Sequence, residues 1–322
     1  MTARAVMGVL IAASVSALCQ ARQPKLSPAG PSHEETAVIG QTEDTRFGRL
    51  ATICLTADGK LLAADADRSE IKVFNGDGKV LATWKPGFAP SALHACEDGT
   101  VYVGGTGRLA KLDASGKVLK TVSAEEGGFP RAKASGLTRM GQDVFASFGA
   151  SWSLRSTAVI VRLDTDLANA KTIATGLRGC CQRLDMVSRD GVLYVAENTR
   201  HRVVRYNREG EVLSQWGRQD RTEIDGFGSC CNPMNLCIGP GGVLYTAESG
   251  LGRIKRHNLD GEFLSLVGYV GVDRFQSAGQ LAASCSNIAV AVNKDGSRVY
   301  VQDFKNNVIR VLTGPPAPKE SK

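Results

Sequence analysis

Short stretches in which apolar and polar residues alternate recur along the chain, and pairs of them are joined by a turn containing glycine. Alternation with period two places successive side chains on opposite faces of a strand, and two such stretches around a glycine turn predict a β-hairpin. The repeated hairpins are TICLTADGKLLAAD, ALHACEDGTVYVGG, GLTRMGQDVFAS, LDMVSRDGVLYVAEN, NLCIGPGGVLYTAES and IAVAVNKDGSRVYVQD. Helical periodicity is nearly absent, so the pattern predicts an all-β protein.

The hairpins follow one another at regular intervals. Their turn glycines are separated by 40, 42, 50, 51 and 54 residues, and they are Gly59, Gly99, Gly141, Gly191, Gly242 and Gly296. Repeats of this length are typical of β-propeller blades. A second turn recurs within most units, as NGDGKVL, DASGKVL, NREGEVL and NLDGEFL. We therefore predict a six-bladed β-propeller with four strands in each blade.

The two ends of the repeat region are complementary. The sixth unit stops after three strands, whereas a single strand-like segment, TAVIGQ at 36–41, precedes the first unit. Pairing of this strand with the last blade would close the ring and remove its open edges. We predict a signal peptide at 1–21, a flexible linker at 22–35, the propeller at 36–312 and a disordered tail at 313–322.

The first residues predict export. Arg4 is followed by an apolar run at 5–18 and by small residues, the pattern of a secretory signal peptide, with cleavage after Ala17 or Ala21. A lipoprotein anchor at Cys19 is a weaker alternative, because Leu18 stands where a small residue is usual. We expect a secreted or periplasmic monomer with no transmembrane segment, since no other apolar run is long enough to span a bilayer.

Composition narrows the choice of partners. The chain has 322 residues, 43% of them hydrophobic and 22% charged, which is ordinary for a globular protein. The net charge of +7 is mild and dispersed along the sequence. An exported protein of this kind is not expected to bind nucleic acid.

Several units carry a proline before the first strand and a polar segment after the hairpin. The prolines are Pro90 and Pro233, and the segments are AADADRSEIKVFN, VAENTRHRVVRYN and TAESGLGRIKRHN. In these features the chain resembles the NHL-repeat family over 36–312. The resemblance implies a propeller fold, but it does not imply a function, because such propellers include both binding modules and enzymes.

Five cysteines occupy one position in the repeat. They precede the turn glycines of units four to six by ten to twelve residues, on the segments that lead into the first strands, and they are Cys180, Cys181, Cys230, Cys231 and Cys285. In an up-and-down blade these lead-in loops lie at one end of the ring, so the cysteines should meet at one channel mouth. Without Cys19 the chain has eight cysteines, and an even count in an oxidising compartment favours disulfides.

Three states of these cysteines are open. Disulfides between lead-in loops would staple neighbouring blades together. Thiolates converging from three blades would instead suit a soft metal ion, zinc or copper. A disulfide within each adjacent pair is the third possibility, although it would be strained because the two Cα atoms are only about 3.8 Å apart.

Acidic and aromatic residues are predicted at the same mouth, where the second strand of a blade connects to the third. The acids follow their turn glycines by six or seven residues, and Trp152 belongs to an insertion in unit three. The candidate ligand-binding residues are Asp65, Trp152, Glu197, Asn232, Glu248 and Asp303. The alternative for the acids is structural, because short acidic side chains accept backbone N–H bonds in turns.

Other polar residues are predicted to be structural. Cys54, His94 and Cys237 share a repeat position on the first strands, where we expect packing between blades. The basic residues of the third strands are predicted to form a solvated face, and they are Arg202, Arg205, Arg253, Lys255 and Arg256.

The functional prediction has three forms. The first is an exported propeller that binds a small molecule, a protein or a soft metal ion at its cysteine-rich mouth. The second is a metal-assisted hydrolase or lyase that uses the rim carboxylates. The third is an interaction scaffold in which the cysteines only staple loops. The sequence leaves open whether the protein is an enzyme, because no three histidines share a lead-in position and no nucleophilic triad can be assembled.

Overall fold

The computed structural model describes residues 30–149, 157–180, 183–220, 222–270 and 287–317. These residues form six four-stranded antiparallel sheets. The prediction of an all-β, six-bladed propeller is confirmed. The helical elements whose bounds the described residues give are short, α1 (Ala124–Gly127) and the 3₁₀ turns Asn198–Arg200 and Pro240–Gly242. None of the described helices has the length and apolar character needed to cross a membrane.

Each of the first five blades uses four consecutive strands. Blade 1 contains β2 (Leu50–Leu55), β3 (Leu61–Asp65), β4 (Glu70–Phe74) and β5 (Val80–Trp84). Blade 2 contains β6 (Ala92–Ala95), β7 (Val101–Gly104), β8 (Arg108–Leu112) and β9 (Val118–Ser123). Blade 3 contains β10 (Ala134–Met140), β11 (Asp143–Phe148), β12 (Ala158–Asp164) and β13 (Lys171–Leu177). Blade 4 contains β14 (Met186–Arg189), β15 (Val192–Glu197), β16 (Arg202–Tyr206) and β17 (Val212–Trp216). Blade 5 contains β18 (Asn235–Ile238), β19 (Leu244–Glu248), β20 (Arg253–His257) and β21 (Phe263–Tyr269).

Blade 6 joins the two ends of the chain. Its strands are β22 (Val290–Val292), β23 (Arg298–Asp303), β24 (Val308–Thr313) and the N-terminal β1 (Glu34–Ile39). The register pairs Ile39 with Ile309 and Glu35 with Leu312. The strand β1 is therefore the outermost strand of the last blade, as the ring-closure hypothesis requires.

The packed structure extends beyond the predicted propeller boundaries. The amides of Ser32 and His33 donate to the carbonyls of Leu266 and Val267 at 3.0 and 2.9 Å, which attaches the chain to blade 5 before β1 begins. At the other end, the amide of Ala317 donates to the carbonyl of Asp295 at 2.8 Å. Hydrogen bonds to the blades therefore continue on both sides of 36–312, and the division into signal peptide, linker, propeller and tail stays a prediction. The predicted signal peptide lies outside the described residues.

The hydrophobic core is divided into wedges between neighbouring blades. Leu62, Val73 and Trp84 of blade 1 pack in one cluster with Val101 and Leu112 of blade 2. Alternating side chains of each strand face opposite neighbours, so every blade contributes to two wedges. Burial of each such aliphatic side chain stabilises the fold by about 1.5–3 kcal/mol.

The turn between the third and fourth strands of a blade packs against the outer strand of the preceding blade. Gly116 has a φ of +85°, and a Cβ atom built there would lie 2.1 Å from Trp84. Gly261 has a φ of +96°, and its Cβ would lie 2.2 Å from Trp216. Only glycine permits both this backbone conformation and this approach to the indole ring.

Candidate functional site

The acids at the ends of the second strands bind the lead-in loops. Asp65, at the end of β3, is fully buried, and its Oδ2 and Oδ1 accept the amides of Gly48 and Arg49 at 2.7 and 3.0 Å. Glu197, at the end of β15, accepts the Arg178 amide at 3.1 Å. Both lead-in segments therefore lie at the same end of the ring as the connections from second to third strands, as predicted from the topology.

Arginines occupy the remaining oxygens of two of these acids. Glu197 is fully buried and accepts Arg200 Nη1 at 2.8 Å and Arg202 Nε at 2.6 Å. Asp303 accepts Asn306 Nδ2 and Arg310 Nε, each at 2.7 Å. These hydrogen bonds and ion pairs satisfy the carboxylates inside the protein.

Glu248 belongs to a buried ionic cluster inside blade 5. Its Oε2 accepts the Gly228 amide at 2.9 Å and Arg253 Nη2 at 2.7 Å, and its Oε1 lies 2.7 Å from Lys255 Nζ. Lys255 also donates to the Gly226 carbonyl at 2.8 Å. The prediction that Arg253, Lys255 and Arg256 form a solvated face is therefore wrong, because all three side chains are buried.

Blade 1 repeats part of this arrangement. Lys72 Nζ lies 5.8 Å from the Phe47 ring centroid, and Lys255 Nζ lies 4.6 Å from that of Phe227. Each phenylalanine precedes a glycine whose amide binds the acid at the end of the second strand of the same blade. The lysine caps the lead-in loop by donating to its carbonyls, as Lys72 does to Arg46 at 3.0 Å. This device anchors loops and requires no ligand.

Asn232 also has a loop-holding role. Its side chain is fully buried, and its Oδ1 accepts the Ser249 amide at 2.8 Å while its Nδ2 donates to the Gly228 carbonyl at 2.6 Å. The peptide bond from Asn232 to Pro233 is cis. The candidate Trp152 lies outside the described residues. The structure thus brings Glu248 and Asn232 together at Gly228, where Glu248 accepts the amide and Asn232 donates to the carbonyl.

The mouth cysteines are described only in part. Cys230 is exposed and Cys231 is buried, and their Sγ atoms lie 3.2 Å apart. A disulfide has an S–S distance of about 2.05 Å, so this pair is not a vicinal disulfide. The Cys180 amide donates to Asn198 Oδ1 at 2.8 Å. Cys181 and Cys285 lie outside the described residues.

Within the part of the chain that the structure describes, no group of three or more His, Cys, Asp or Glu side chains is placed to hold a metal ion. The site of zinc or copper predicted from the five mouth cysteines stays a prediction, since two of the five are not described. Disulfides between the lead-in loops, the other state predicted for these cysteines, also stay a prediction.

Three further cysteines are kept away from the mouth. Cys54 and Cys237 line the central channel together with His94, while Cys96 is buried at its far end. Burial raises the pKa of Cys54 and of Cys237 to about 12 and lowers that of His94 to about 4. The prediction of packing between blades is thus incomplete, because these side chains also face the channel. Of the nine cysteines, Cys19 belongs to the predicted signal peptide and these three lie elsewhere, so five remain for the mouth, and an odd number cannot pair completely.

The central channel contains a cavity of about 240 Å³. The first strands of all six blades line it, and its polar groups belong to Thr52, Cys54, His94, Ser135, Thr138, Asp185, Ser188, Asn235 and Cys237. A second cavity of about 560 Å³ adjoins it at the end formed by the hairpin turns, where Leu55, Ala95, Ile238 and Val292 line both. Polar and apolar groups therefore both line the axis of the ring.

Arg183 crosses this channel at its mouth-side end. The residue precedes β14 of blade 4, and its Nη2 donates to the Ala51 carbonyl of blade 1 at 2.8 Å. Blades 1 and 4 are opposite each other in a ring of six, so the side chain spans the diameter. Asn287 donates to the same carbonyl at 2.7 Å. The guanidinium is buried, with 7% of the residue exposed.

Asp185 lies two residues further along and lines the cavity. Its Oδ2 accepts Asn235 Nδ2 at 2.8 Å and the Leu236 amide at 2.7 Å, both from blade 5. Burial raises the pKa of Asp185 to about 7, although the hydrogen bond from the Leu236 amide and the Arg183 charge oppose the rise. Asp185 is therefore a carboxyl group that changes its charge near neutral pH.

Lys133 adds a second cation near Arg183. It precedes β10 of blade 3, and burial lowers its pKa to about 8, with further lowering by the charges of Arg183 and Arg49. Every influence on this ammonium group from the described residues disfavours its charge. Sequence reasoning missed Lys133, Arg183 and Asp185, although each precedes or begins a first strand where most other blades place neutral residues.

Fold and site together define a six-bladed β-propeller whose central channel places a few polar groups among apolar residues. Similar solved structures include a protein of unknown function from Bacteroides thetaiotaomicron, with 16% identity, a TM-score of 0.63, and coverage of 89% of this chain and 73% of that one. Virginiamycin B lyase from Staphylococcus aureus with quinupristin matches at 15% identity and a TM-score of 0.57, covering 86% of this chain and 98% of that one. Regucalcin from Agrobacterium tumefaciens, a calcium-binding protein, matches at 14% identity and a TM-score of 0.58, covering 92% and 98%.

No family model matches the chain, and no curated protein sequence matches it. At these identities the structural likeness establishes the propeller fold alone. The resemblance to NHL repeats stays a prediction.

Proposed function

We propose that this protein is an exported binding propeller of the NHL type that holds a small molecule in its central channel. The observation that carries the proposal is the 240 Å³ cavity lined by Asp185, Asn235 and Ser135 together with apolar residues of all six blades. A few convergent polar groups in an otherwise apolar cavity are typical of ligand sites. The volume equals that of about eight water molecules, which limits the ligand to a small organic molecule.

The cavity differs from the site expected from sequence. The carboxylates of Asp65, Glu197 and Glu248 bind backbone amides and basic side chains, so they do not enter the proposed site. The channel instead supplies its own carboxyl group, Asp185. A ligand reaching Asp185 would also contact the first strands, whose backbone positions are fixed by the blades.

A second candidate function is that of an enzyme, and one observation favours it. Asp185 has a pKa of about 7 inside a cavity, and a group with this pKa can both give and take a proton near neutral pH. The lyase among the structural neighbours supports only the compatibility of this fold with catalysis. The metal-assisted form of the hypothesis would require zinc, copper or another ion at the mouth.

Blocking the channel tests the binding proposal. Val187 is partly exposed and lines the cavity, so Val187→Trp should fill it. Val212 is 59% exposed on β17 and gives the matched control, Val212→Trp. Thermal unfolding is measured with a panel of small organic acids, amines, sugars and amides, because a ligand that binds only the folded state raises the melting temperature.

The proposal requires at least one compound that stabilises the wild-type protein and Val212→Trp but not Val187→Trp. Compounds that stabilise all three proteins equally bind elsewhere. If no compound in the panel distinguishes Val187→Trp from its control, the channel is not the binding site, and the interaction-scaffold hypothesis takes its place.

A further inference from the structure

We propose that the central channel takes a small organic amine, bound as its ammonium ion to the Asp185 carboxylate. The inference rests on the proposed function and adds the chemical class of the ligand. Its basis is the set of polar groups that line the cavity, because the hydroxyl hydrogens are used within the protein while strong hydrogen-bond acceptors are left for a ligand.

Asp185 supplies the charge of the cavity. Among the described residues that line the cavity, it is the only Asp, Glu, Lys or Arg, and its side chain is partly exposed. Arg183 lies two residues earlier in the chain, but it does not line the cavity, and its Nη2 donates to the Ala51 carbonyl at 2.8 Å. A molecule in the cavity therefore meets a carboxyl group with no basic side chain beside it on the described walls.

The carboxyl group of Asp185 is held in one orientation by blade 5. Asn235 Nδ2 and the Leu236 amide both donate to Oδ2, at 2.8 and 2.7 Å. Asn235 is itself fixed, because its Oδ1 accepts the Val290 amide of blade 6 at 2.8 Å. No side chain of the described residues donates a hydrogen bond to Oδ1 of Asp185, so this oxygen is the one left for a ligand.

The hydroxyl groups of the lining already donate to protein atoms. Ser188 Oγ donates to the Arg139 carbonyl at 2.7 Å, and Thr138 Oγ1 lies 2.9 Å from Ser188 Oγ, where it is the donor. Ser135 Oγ donates to the Leu184 carbonyl at 3.2 Å. A hydroxyl group has a single hydrogen to donate. These three side chains therefore favour a ligand that donates hydrogen bonds over one that needs to accept them.

His94 adds an acceptor to the cavity lining. Burial lowers its pKa to about 4, so the imidazole is neutral near pH 7 and one ring nitrogen can accept a hydrogen bond. An ammonium group has three donors and no acceptor, and it matches a lining of this kind. Apolar side chains complete the walls and favour an organic body over a bare inorganic cation, and they include Ile53, Leu93, Leu137 and Leu236.

Ionisation of Asp185 should make amine binding depend on pH. Burial raises its pKa to about 7, whereas an alkylammonium ion stays protonated below about pH 10. Arg183, on the same segment, stays charged throughout this range. His94 of β6 is neutral above about pH 4, Cys54 of β2 and Cys237 of β18 are neutral below about pH 12, and the lining groups of β10 do not titrate. Amine affinity should therefore rise as the pH rises through about 7.

Isothermal titration of the full chain with butylamine and with 1-butanol tests the charge requirement, since the two probes have nearly the same shape. At about pH 8 we expect butylammonium to bind at least about tenfold more tightly, a difference of about 1.4 kcal/mol. Phosphate buffer is used because Tris is itself an amine. Equal affinities for the two probes would overturn the cationic class. Ammonium chloride is titrated in parallel, and tighter binding of ammonium than of butylammonium would overturn the organic class.

Asp185→Asn provides the second measurement. An asparagine can accept the hydrogen bonds from Asn235 and Leu236 while remaining neutral. The wild-type protein should bind butylammonium about tenfold more tightly at about pH 8 than at about pH 6, and Asp185→Asn should bind it equally at both. The matched control is Asp190→Asn in the turn after β14, where the side chain is 82% exposed, and it should behave as the wild type. A pH dependence that persists in Asp185→Asn would overturn the role given to Asp185.

The outcomes separate the inference from the proposed function. If neutral compounds bind in a manner abolished by Val187→Trp but butylammonium does not bind, the amine class is wrong and the channel remains the site. If no probe distinguishes Val187→Trp from Val212→Trp, both fail. Thermal unfolding of Asp185→Asn verifies that lost binding does not reflect lost folding.

Discussion

Lys255 Nζ lies 2.7 Å from Glu248 Oε1, and neither side chain is exposed to solvent. Burial lowers the pKa of Lys255 to about 8, while the charge of Glu248 opposes that change. The pair holds the lead-in loop of blade 5, because Glu248 binds the Gly228 amide and Lys255 binds the Gly226 carbonyl. The loop that carries Cys230 and Cys231 is thus held in place by the buried charges of Glu248 and Lys255.

Breaking this pair should be strongly destabilising. Glu248→Gln leaves Lys255 and Arg253 without their counter-charge, and we expect a loss of about 3–5 kcal/mol in the free energy of unfolding by urea. The double variant Glu248→Gln, Lys255→Met should recover part of the loss, since no unpaired buried ammonium remains. As a control, Asp260→Asn removes the partner of Arg205 in an exposed pair and should cost less than about 1 kcal/mol. Equal losses for the two single variants would contradict the structural role of the cluster.

Substitutions at two turn glycines should distinguish the cost of backbone strain from the cost of a steric clash. Gly59 and Gly116 have nearly the same φ, +86° and +85°, but a Cβ at Gly59 meets no atom within 4 Å, whereas one at Gly116 meets Trp84 at 2.1 Å. Gly59→Ala should therefore cost only the strain, about 1 kcal/mol. Gly116→Ala should cost about 1–3 kcal/mol more, because the indole must move. Similar urea midpoints for the two variants would show that the turn does not pack on Trp84 in solution.

The raised pKa of Asp185 should make the stability of the folded protein depend on pH. Its pKa is raised to about 7 in the folded protein from an ordinary value near 3.8. Below about 3.8 the carboxyl is protonated in both states and has no effect. As the pH rises from about 3.8 to about 7 the unfolded chain releases the proton first, so folding loses stability over that range. We expect Asp185→Asn to stabilise the protein by about 1–3 kcal/mol at about pH 8 and to have little effect at about pH 4, as measured by thermal unfolding. Stabilisation that is equal at both pH values would contradict the raised pKa.

The cysteines should fall into two groups in alkylation experiments. Burial raises the pKa of Cys54 and Cys237 to about 12, three units above the ordinary value of 9.0. Because the thiolate is the reactive species, native-state alkylation near neutral pH should be slower than in urea by about a thousandfold. Mass spectrometry of the peptides measures both rates. Rapid native alkylation of Cys54 would mean that the channel is more open than the structure describes.

Protein purified without reductant or added metal tests whether the five mouth cysteines form disulfides or bind a metal ion. Under the disulfide hypothesis the five cysteines there form at most two disulfides, and non-reducing peptide mapping should find links between lead-in loops. Stoichiometric zinc or copper, with mouth thiols that react only after chelation, would favour the metal site instead.

The repeat pattern predicts the fold well because blades are local units. Each hairpin is fixed by its own alternation and by a turn glycine such as Gly59 or Gly191, with no need for distant contacts. The position of β1 was also predictable, since an unpaired strand at one end matched a missing strand at the other. Blade number and ring closure therefore follow from the chain alone.

The site was harder to predict because its decisive contacts cross the ring. Nothing near Arg183 in the sequence indicates that it reaches Ala51, more than one hundred residues away. The acids at the mouth recur from blade to blade because they share the structural role of holding the lead-in loops, as Asp65 and Glu197 do. Asp185 does not recur at the corresponding position of other blades, and this lack of repetition distinguishes it from residues that serve the architecture.

Blade 6 contains the first and the last of the described strands. Until β24 is available, β1 has no strand to pair with, and Ile39 lacks its partner Ile309. Chain growth from N to C terminus can complete blades 1 to 5 in order, but it cannot complete the ring. Closure is a single late event that couples the two ends, so a ribosome-bound chain that lacks its last strand should remain susceptible to proteolysis at 34–39.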